Sequence, residues 1–209
     1  MVTGGPLRQL VAPLVRLAAR LAGRESAWER LTMRIPPRAF GSGSERPFAQ
    51  YFDGPSSVRV TSIEEIVAWL QTCEYVSDAE LFHKPDFWQH PGAFESLRRG
   101  DCEDFALWAW RKLAELGIDA DFCVGRVISP QRPDVAYHHA WVVYRIEGTA
   151  FLFEPAARAP STTIRLLDEV MSEYVPHFAV NHRFETNAFV GCADDVRRAA
   201  TPDNPSVAV

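Results

Sequence analysis

The apolar residues change their spacing about halfway along the chain. Before Gly117 they recur every three or four positions, which predicts helices, and beyond it the period approaches two, which predicts strands. A capping signature at Thr61 opens one helix, and Pro91 suits the first turn of another that ends near Leu97. The longest helix begins after Asp101, a natural N-cap, and stops at Gly117.

The predicted strands all lie in the second half of the chain. They cover residues 122–124, 137–146, 150–153 and 162–166, with a strand pair or one long strand over 174–189. Glu147 and Gly148 form a hairpin turn between the second and the third strand. A short helix is expected over 167–173. Apart from this short helix, the helical patterns precede Gly117 and the strand patterns follow it.

Breaker residues and charge divide the chain into three parts. Prolines, glycines and serines between residues 36 and 47 form a loop or linker. We therefore predict a basic N-terminal helical arm and linker over 1–46, a globular domain over 47–192 and a frayed tail over 193–209. The arm carries eight Arg and three Glu, a net charge of +5, whereas the whole chain of 209 residues carries −5.

Composition excludes several classes of protein. A hydrophobic share of 47% is enough for a packed core, so wholesale disorder is excluded. The acidic chain is not expected to bind nucleic acid. No stretch of about 18 apolar residues exists, and Arg8, Arg16 and Arg20 interrupt the apolar segment near the N-terminus. Neither a transmembrane helix nor a signal peptide is therefore expected, and we predict a cytoplasmic protein.

The basic N-terminal segment has two interpretations. As an amphipathic helix over about residues 6–33, it packs on the domain or on a partner protein, which is the interpretation that we favour. Alternatively, its positive charge docks it on an anionic membrane surface.

Cys102 is the most informative of the four cysteines, which are too few for a disulfide scaffold. It lies in the first turn of the longest predicted helix, where free N–H groups and the helix dipole stabilise a thiolate. A thiolate is the reactive form of a cysteine nucleophile. The neighbouring Asp101, Glu103 and Asp104 oppose it by their charge, so a nearby imidazolium would have to offset them.

His139 and Glu154 supply the imidazole and a carboxylate if the predicted hairpin has a two-residue turn. Strand alternation then places His139 and Trp141 on one face and pairs Trp141 with Glu154 on the next strand. His139 and Glu154 become diagonal neighbours, about 7–8 Å apart at Cα and within reach of each other's side chains. The sequence therefore brings together a thiol, an imidazole and a carboxylate, the parts of a catalytic triad.

The reactive residues lie in four short blocks: Gly100-Asp101-Cys102-Glu103-Asp104-Phe105-Ala106, Leu116-Gly117-Ile118, His139-Ala140-Trp141-Val142 and Phe153-Glu154-Pro155. In this order and spacing, the blocks resemble the transglutaminase-like superfamily and are most similar to the bacterial transglutaminase-like cysteine proteinases. The resemblance covers about residues 60–190. It implies a papain-like α+β fold, in which an antiparallel β-sheet packs on a helix that carries the nucleophilic cysteine. The predicted order of elements agrees with this fold.

The resemblance also implies a role for each reactive residue. Cys102 would be the nucleophile, His139 the general base and acid, and Glu154 the acid that orients the imidazole. The family usually has Asp at the last position, and Glu is one methylene longer. The implied activity is hydrolysis of a peptide or isopeptide bond in a protein or peptide substrate, through a thioester. Two alternatives remain open: a transamidating, cross-linking enzyme, and a non-catalytic binding module that keeps the scaffold.

Two further expectations concern a metal ion and an oxyanion hole. Some members of the branch bind calcium through acidic residues that flank the cysteine, and Asp101 and Glu103 match those positions. The simpler interpretation, which we favour, is that Asp101 caps the helix and Glu103 complements its dipole, without a cofactor. An oxyanion hole would combine the backbone N–H of Cys102 with a second donor, for which position alone suggests Trp88 or Gln89.

Overall fold

The centre of the computed structural model, which describes residues 25–31, 34–129 and 135–192, is a seven-stranded antiparallel sheet. The nine described strands are β1 (Arg30–Leu31), β2 (Glu74–Tyr75), β3 (Arg99–Gly100), β4 (Asp119–Ile128), β5 (Ala136–Ile146), β6 (Thr149–Phe153), β7 (Ile164–Leu166), β8 (Tyr174–Asn181) and β9 (Thr186–Phe189). The large sheet has the order β1-β9-β8-β4-β5-β6-β7, and β2 pairs in parallel with β3 in a small second sheet.

The helices lie mainly on one side of the large sheet. They are α1 (Ile63–Leu70), α2 (Asp78–Leu81), α3 (Pro91–Leu97), α4 (Cys102–Glu115), α5 (Pro160–Thr163) and α6 (Leu167–Val170), with short 3-10 helices at Glu25–Trp28, Pro37–Ala39 and Phe48–Phe52. α4 packs on β4 and β5, and its apolar side chains share a core with Phe122 and Val142 of these strands. A smaller cluster, which includes Trp141 and Tyr174, covers the opposite face. The fold is α+β, as the sequence predicts.

Most predicted elements occur close to their predicted bounds. The helix at Pro91 and the long helix after Asp101 are α3 and α4, and the turn at Glu147 and Gly148 joins β5 to β6. The predicted strand over 162–166 is present only as β7, because Pro160 opens the one-turn helix α5 just before it. The segment over 174–189 is a strand pair, β8 and β9.

The described part of the predicted arm and linker packs on the rest of the chain. β1 extends the sheet by pairing with β9, so the expected helix over about 6–33 gives way to a strand there. Ile35 and Phe40 lie in the main core, each only 7% exposed. Prolines and glycines predict an irregular backbone, but they do not determine whether that backbone is packed. Residues 1–24 of the arm and the predicted tail over 193–209 lie outside the described residues.

Among the described residues, no helix is both long and apolar enough to cross a membrane.

Two buried cations anchor α4 to the preceding segment. The Lys112 ammonium is fully buried, donates to the Val58 carbonyl at 2.6 Å and lies 3.4 Å from the Glu95 carboxylate. Burial opposes ionisation of Glu95, but hydrogen bonds from serine and tryptophan side chains outweigh it and lower the pKa of Glu95 to about 2. Arg111 donates to the Gly54 carbonyl at 2.7 Å. These contacts fix the helix that carries Cys102.

Gly125 should be essential for the packing of β4 on β8. The register of this pair shifts between Val124 and Gly125, and a Cβ at Gly125 would overlap the carbonyl oxygen of Val175. We expect Gly125→Ala to lower the free energy of unfolding by about 1–3 kcal/mol, measured by chemical denaturation, because overpacking displaces the backbone. Gly148→Asn is the control, since Gly148 has a φ of 77° in open space and Asn tolerates that conformation. Equal losses in the two variants would contradict this account.

Candidate active site

Cys102 is the first residue of α4, and its sulfur lies beside the edge of β5. The thiol donates to Glu103 Oε2 at 3.3 Å, and the backbone N–H of Ala140 donates to the sulfur. β6 pairs with β5 only between Val142 and Ile146, because Pro155 lacks the N–H that would continue the ladder. This edge of β5 is therefore open to Cys102.

The hairpin register places His139 beside Glu154, as predicted from the two-residue turn. Val142 pairs with Phe153, so Trp141 and Glu154 are the next opposite positions. His139 Nε2 lies 2.7 Å from Glu154 Oε2. An ionised carboxylate only accepts hydrogen bonds, so Nε2 carries the proton in this contact. The other ring nitrogen, Nδ1, can then accept a proton from a thiol.

Cys102 and His139 line the same cleft, which has a volume of about 410 Å³. One wall is formed by residues of β4, β5 and β8. The opposite wall is formed by two loops, which contribute Ala39, Phe40, Gly41, Pro85, Asp86 and Trp88. Gly41 allows these loops to approach each other, because a Cβ there would come within 2.9 Å of the Trp88 ring. His138, which the sequence places on the strand face opposite His139, also lines this cleft.

Burial and the acidic neighbours of Cys102 oppose ionisation of its thiol. Burial of the sulfur, followed by the negative charges of Glu103 and Asp101, raises the pKa of the Cys102 thiol well above its usual value. The hydrogen bond from the Ala140 N–H acts in the opposite direction and is smaller. The thiol is therefore protonated at neutral pH in this environment, and a base or a neutralising charge must help it to ionise.

Five carboxylates converge on one side of Cys102, those of Asp78, Asp86, Asp101, Glu103 and Asp104. Within this set, oxygen atoms from groups of three lie within 4.8 Å of one another. Oδ1 of Asp78 and Oδ1 of Asp101 are buried and accept no hydrogen bond from the described residues. Burial raises the pKa of Asp78 to about 6, and it is also the main cause that raises the pKa of Glu103 and of Asp104 well above the usual range. Crowded carboxylate oxygens of this kind fit a calcium ion.

The prediction that Asp101 caps α4 is confirmed for its position but not for its side chain. Asp101 occupies the N-cap position of α4, but its side chain makes no capping hydrogen bond. Instead, its Oδ2 accepts from the backbone N–H of Asp78 at 3.3 Å. Glu103 is only 6% exposed and accepts from the Cys102 thiol, so it faces the site instead of solvent. Both residues belong to the carboxylate cluster.

Trp88 and Gln89 lie next to the site, but their side-chain donors and the backbone N–H of Gln89 are engaged elsewhere. The indole N–H of Trp88 donates to Asp86 Oδ1 at 2.8 Å. The backbone N–H of Gln89 donates to Asp104 Oδ1 at 2.8 Å, and its side-chain amide donates to Asp104 Oδ2 and to the Arg99 carbonyl. The side chains of Trp88 and Gln89 therefore hold the carboxylates and do not present donors to an oxyanion.

Asp78 and Asp86 are site residues that the sequence reasoning missed. Asp78 begins α2, and Asp86 accepts from the Gly43 N–H at 2.7 Å, which ties the two loops of the cleft together. Both lie in an irregular stretch without periodicity, so no local pattern predicts where their side chains point. The only hint in the sequence is the run of acidic residues around Cys102. It predicts an excess of negative charge, which a positive charge must balance.

Comparison with known proteins finds solved structures that are similar to this chain, but it does not assign the chain to a family. No family model matches the chain. No curated protein matches it either.

Among solved structures, the chain is similar to LapG of Legionella pneumophila. The calcium-bound form has 14% sequence identity and a TM-score of 0.45, with 95% of this chain and 93% of that chain covered. Another LapG structure has 15% identity and a TM-score of 0.46, with coverages of 73% and 84%. A cysteine protease candidate from Cytophaga hutchinsonii has 18% identity and a TM-score of 0.35, with coverages of 64% and 44%. All these TM-scores lie below 0.5, so the family resemblance rests on the sequence motifs and on the geometry of the site.

Proposed function

We propose that the protein is a cysteine-nucleophile acyl-transfer enzyme that hydrolyses peptide or isopeptide bonds through a thioester. The observation that carries this proposal is the arrangement of three residues: Cys102 and His139 share one cleft, and Glu154 holds His139 at 2.7 Å.

The proposed reaction has two steps. His139 Nδ1 takes the thiol proton as the sulfur of Cys102 attacks the substrate carbonyl carbon, and the same proton then passes to the leaving amine as the C–N bond breaks. In the second step, His139 takes a proton from water, and the resulting hydroxide attacks the thioester. The C–S bond breaks, the acid is released and the proton returns to the sulfur.

Two backbone N–H groups are the proposed donors to the negative oxygen that forms in each step. The N–H of Cys102 is one of the first N–H groups of α4, which have no partner within the helix. The N–H of Ala140 already points at the sulfur from the β5 edge. We assign the second donor of the oxyanion hole to Ala140 in place of Trp88 or Gln89.

The carboxylate cluster is proposed to hold a calcium ion. Asp78, Asp86, Asp101 and Glu103 would provide the oxygen ligands, since two of their oxygens are buried and lack other partners among the described residues. When bound, the ion supplies positive charge that offsets the carboxylates beside the sulfur. The calcium-bound LapG structure is consistent with this proposal but does not carry it.

Calcium should stabilise the folded protein measurably. At a concentration one hundredfold above Kd, binding contributes about 2.7 kcal/mol, which corresponds to a rise in Tm of about 5–10 °C for a chain of this size. Differential scanning fluorimetry in calcium and in EDTA measures this rise. Asp78→Asn should remove most of it, whereas Asp53→Asn, at an exposed acid outside the cluster, should keep it. Equal Tm values of the unaltered protein in calcium and in EDTA would contradict the calcium proposal.

The proposed activity can be tested without knowing the natural substrate. The protein is incubated with a proteome-derived peptide library in calcium, and new peptide ends are identified by mass spectrometry. New carboxyl ends indicate hydrolysis. A second sample contains a labelled primary amine, and incorporation of the amine in place of new ends would indicate transamidation. If peptides bind to the protein but gain neither a new end nor the labelled amine, the result would support a binding module and contradict an enzyme.

A further inference from the structure

We propose that Tyr174 and Arg165 are positioning residues that aim Glu154 at His139. This inference rests on the proposed function, because it concerns how the third member of the triad is held. Neither residue touches Cys102, and neither is expected to contact substrate. Their effect passes through the carboxylate of Glu154.

Both donors to the Glu154 carboxylate meet at one oxygen atom. Oε2 of Glu154 lies 2.7 Å from His139 Nε2 and accepts from the Tyr174 hydroxyl at 3.2 Å. The other oxygen, Oε1, is buried and finds no partner in the part of the chain that the structure describes. If the Tyr174 hydroxyl were removed, His139 alone would hold the carboxylate.

Arg165 fixes the direction of the Tyr174 hydroxyl. Its Nη2 donates to the Tyr174 oxygen at 3.1 Å, so the single hydroxyl proton is available for Glu154. Glu173 in turn accepts from Arg165 Nη1 at 2.9 Å. Burial, followed by the charge of Glu154, raises the pKa of Tyr174 above its usual value, which keeps this hydroxyl a donor. Arg165 therefore donates to Tyr174 and Tyr174 donates to Glu154, whose carboxylate also accepts from His139.

This arrangement offers a physical reason for Glu at position 154, where the transglutaminase-like superfamily usually has Asp. Glu has one more rotatable bond than Asp, so its carboxylate loses more conformational freedom when it is fixed. A second donor from β8 can offset that loss and select one rotamer. Trp141 supports the same geometry, because it lies edge-on to Tyr174 at 5.1 Å and nearly parallel to His139 at 6.4 Å, measured between ring centroids.

The ionisable groups around Glu154 and His139 come from several elements. They are Asp101, Cys102 and Glu103 at the start of α4, Tyr75 on β2, Tyr137 on β5, Arg165 on β7, and Glu173 and Tyr174 at the start of β8. Among them, only the Tyr174 hydroxyl and His139 donate to the Glu154 carboxylate in the described structure. The orientation of His139 is therefore the property to measure.

The decisive variant is Tyr174→Phe, which removes the hydroxyl and keeps the ring. The full chain labelled with ¹⁵N-histidine reports the tautomer of His139 by NMR, and His139→Gln identifies its signals. We expect the unaltered protein to show the tautomer protonated at Nε2, and Tyr174→Phe to show a mixture of both tautomers. On the peptide substrates, kcat should fall about tenfold with KM nearly unchanged, because misplacing a catalytic group slows the step without weakening binding.

Tyr144→Phe is a matched control, since Tyr144 is also 4% exposed but lies on the opposite face of the sheet. It should leave the His139 tautomer and kcat unchanged. Arg165→Met should shift the tautomer in the same direction as Tyr174→Phe, which keeps the test decisive if one variant folds poorly. An unchanged His139 tautomer in the folded variants would overturn the inference. The NMR result does not depend on turnover, so failure of the proposed activity would be recognised separately.

Discussion

Replacing Cys102 with alanine should abolish hydrolysis of the peptide library while leaving the fold intact. The alanine has no nucleophile, so no thioester can form, and we expect the rate to fall by at least about a thousandfold. The measurement is the number and rate of new peptide ends, with circular dichroism to show that the variant is folded. Cys102 is only partly buried at the start of α4, so the loss of its sulfur should cost little stability.

Cys192→Ala is the matched control for this variant. Cys192 is also a cysteine of intermediate exposure, but it lies beyond β9 and is not among the residues that line the cleft. It should retain full activity. Persistent hydrolysis in folded Cys102→Ala would contradict the assignment of the nucleophile, whatever the behaviour of the control.

Replacing Glu154 with alanine should give the second largest loss, about a hundredfold or more in kcat. Without the carboxylate, His139 loses the acceptor that keeps its proton on Nε2, and general acid–base catalysis typically contributes this much. Glu154→Asp should be intermediate, because the shorter side chain cannot reach His139 and Tyr174 together without movement of the strand. Steady-state kinetics on one cleaved peptide separates these values.

Glu64→Ala provides the control for loss of an acidic side chain, since Glu64 is exposed on α1. Its kinetics should match those of the unaltered protein. If folded Glu154→Ala had the same kcat as the control, the contact between Glu154 and His139 would be structural only, and the triad would reduce to a dyad.

The part of the site on the hairpin could be predicted from the sequence because the contacts are local. A two-residue turn at Glu147 and Gly148 determines the pairing of β5 with β6, and that pairing determines which side chain faces His139. The position of Cys102 is likewise local, since a helix start is marked by its own residues. The α+β class follows from the change in apolar period near Gly117.

The remainder of the site depends on contacts between distant segments. Tyr174 reaches Glu154 only because β8 pairs with β4, and its register includes a shift at Gly125 that no turn determines. Asp78 and Asp86 approach Cys102 through loops without a repeating pattern. Strand order across a sheet and the path of such loops are tertiary properties, so periodicity along the chain contains little information about them.

The most direct test of the central claim is to trap the acyl-enzyme on Cys102. The protein is mixed with a cleaved peptide in calcium, quenched in acid within one turnover, digested and examined by mass spectrometry. The account predicts that the peptide containing Cys102 gains the mass of the acyl fragment, and that hydroxylamine removes this mass. Hydrolysis that proceeds without any adduct on Cys102, or with an adduct on another residue, would contradict it.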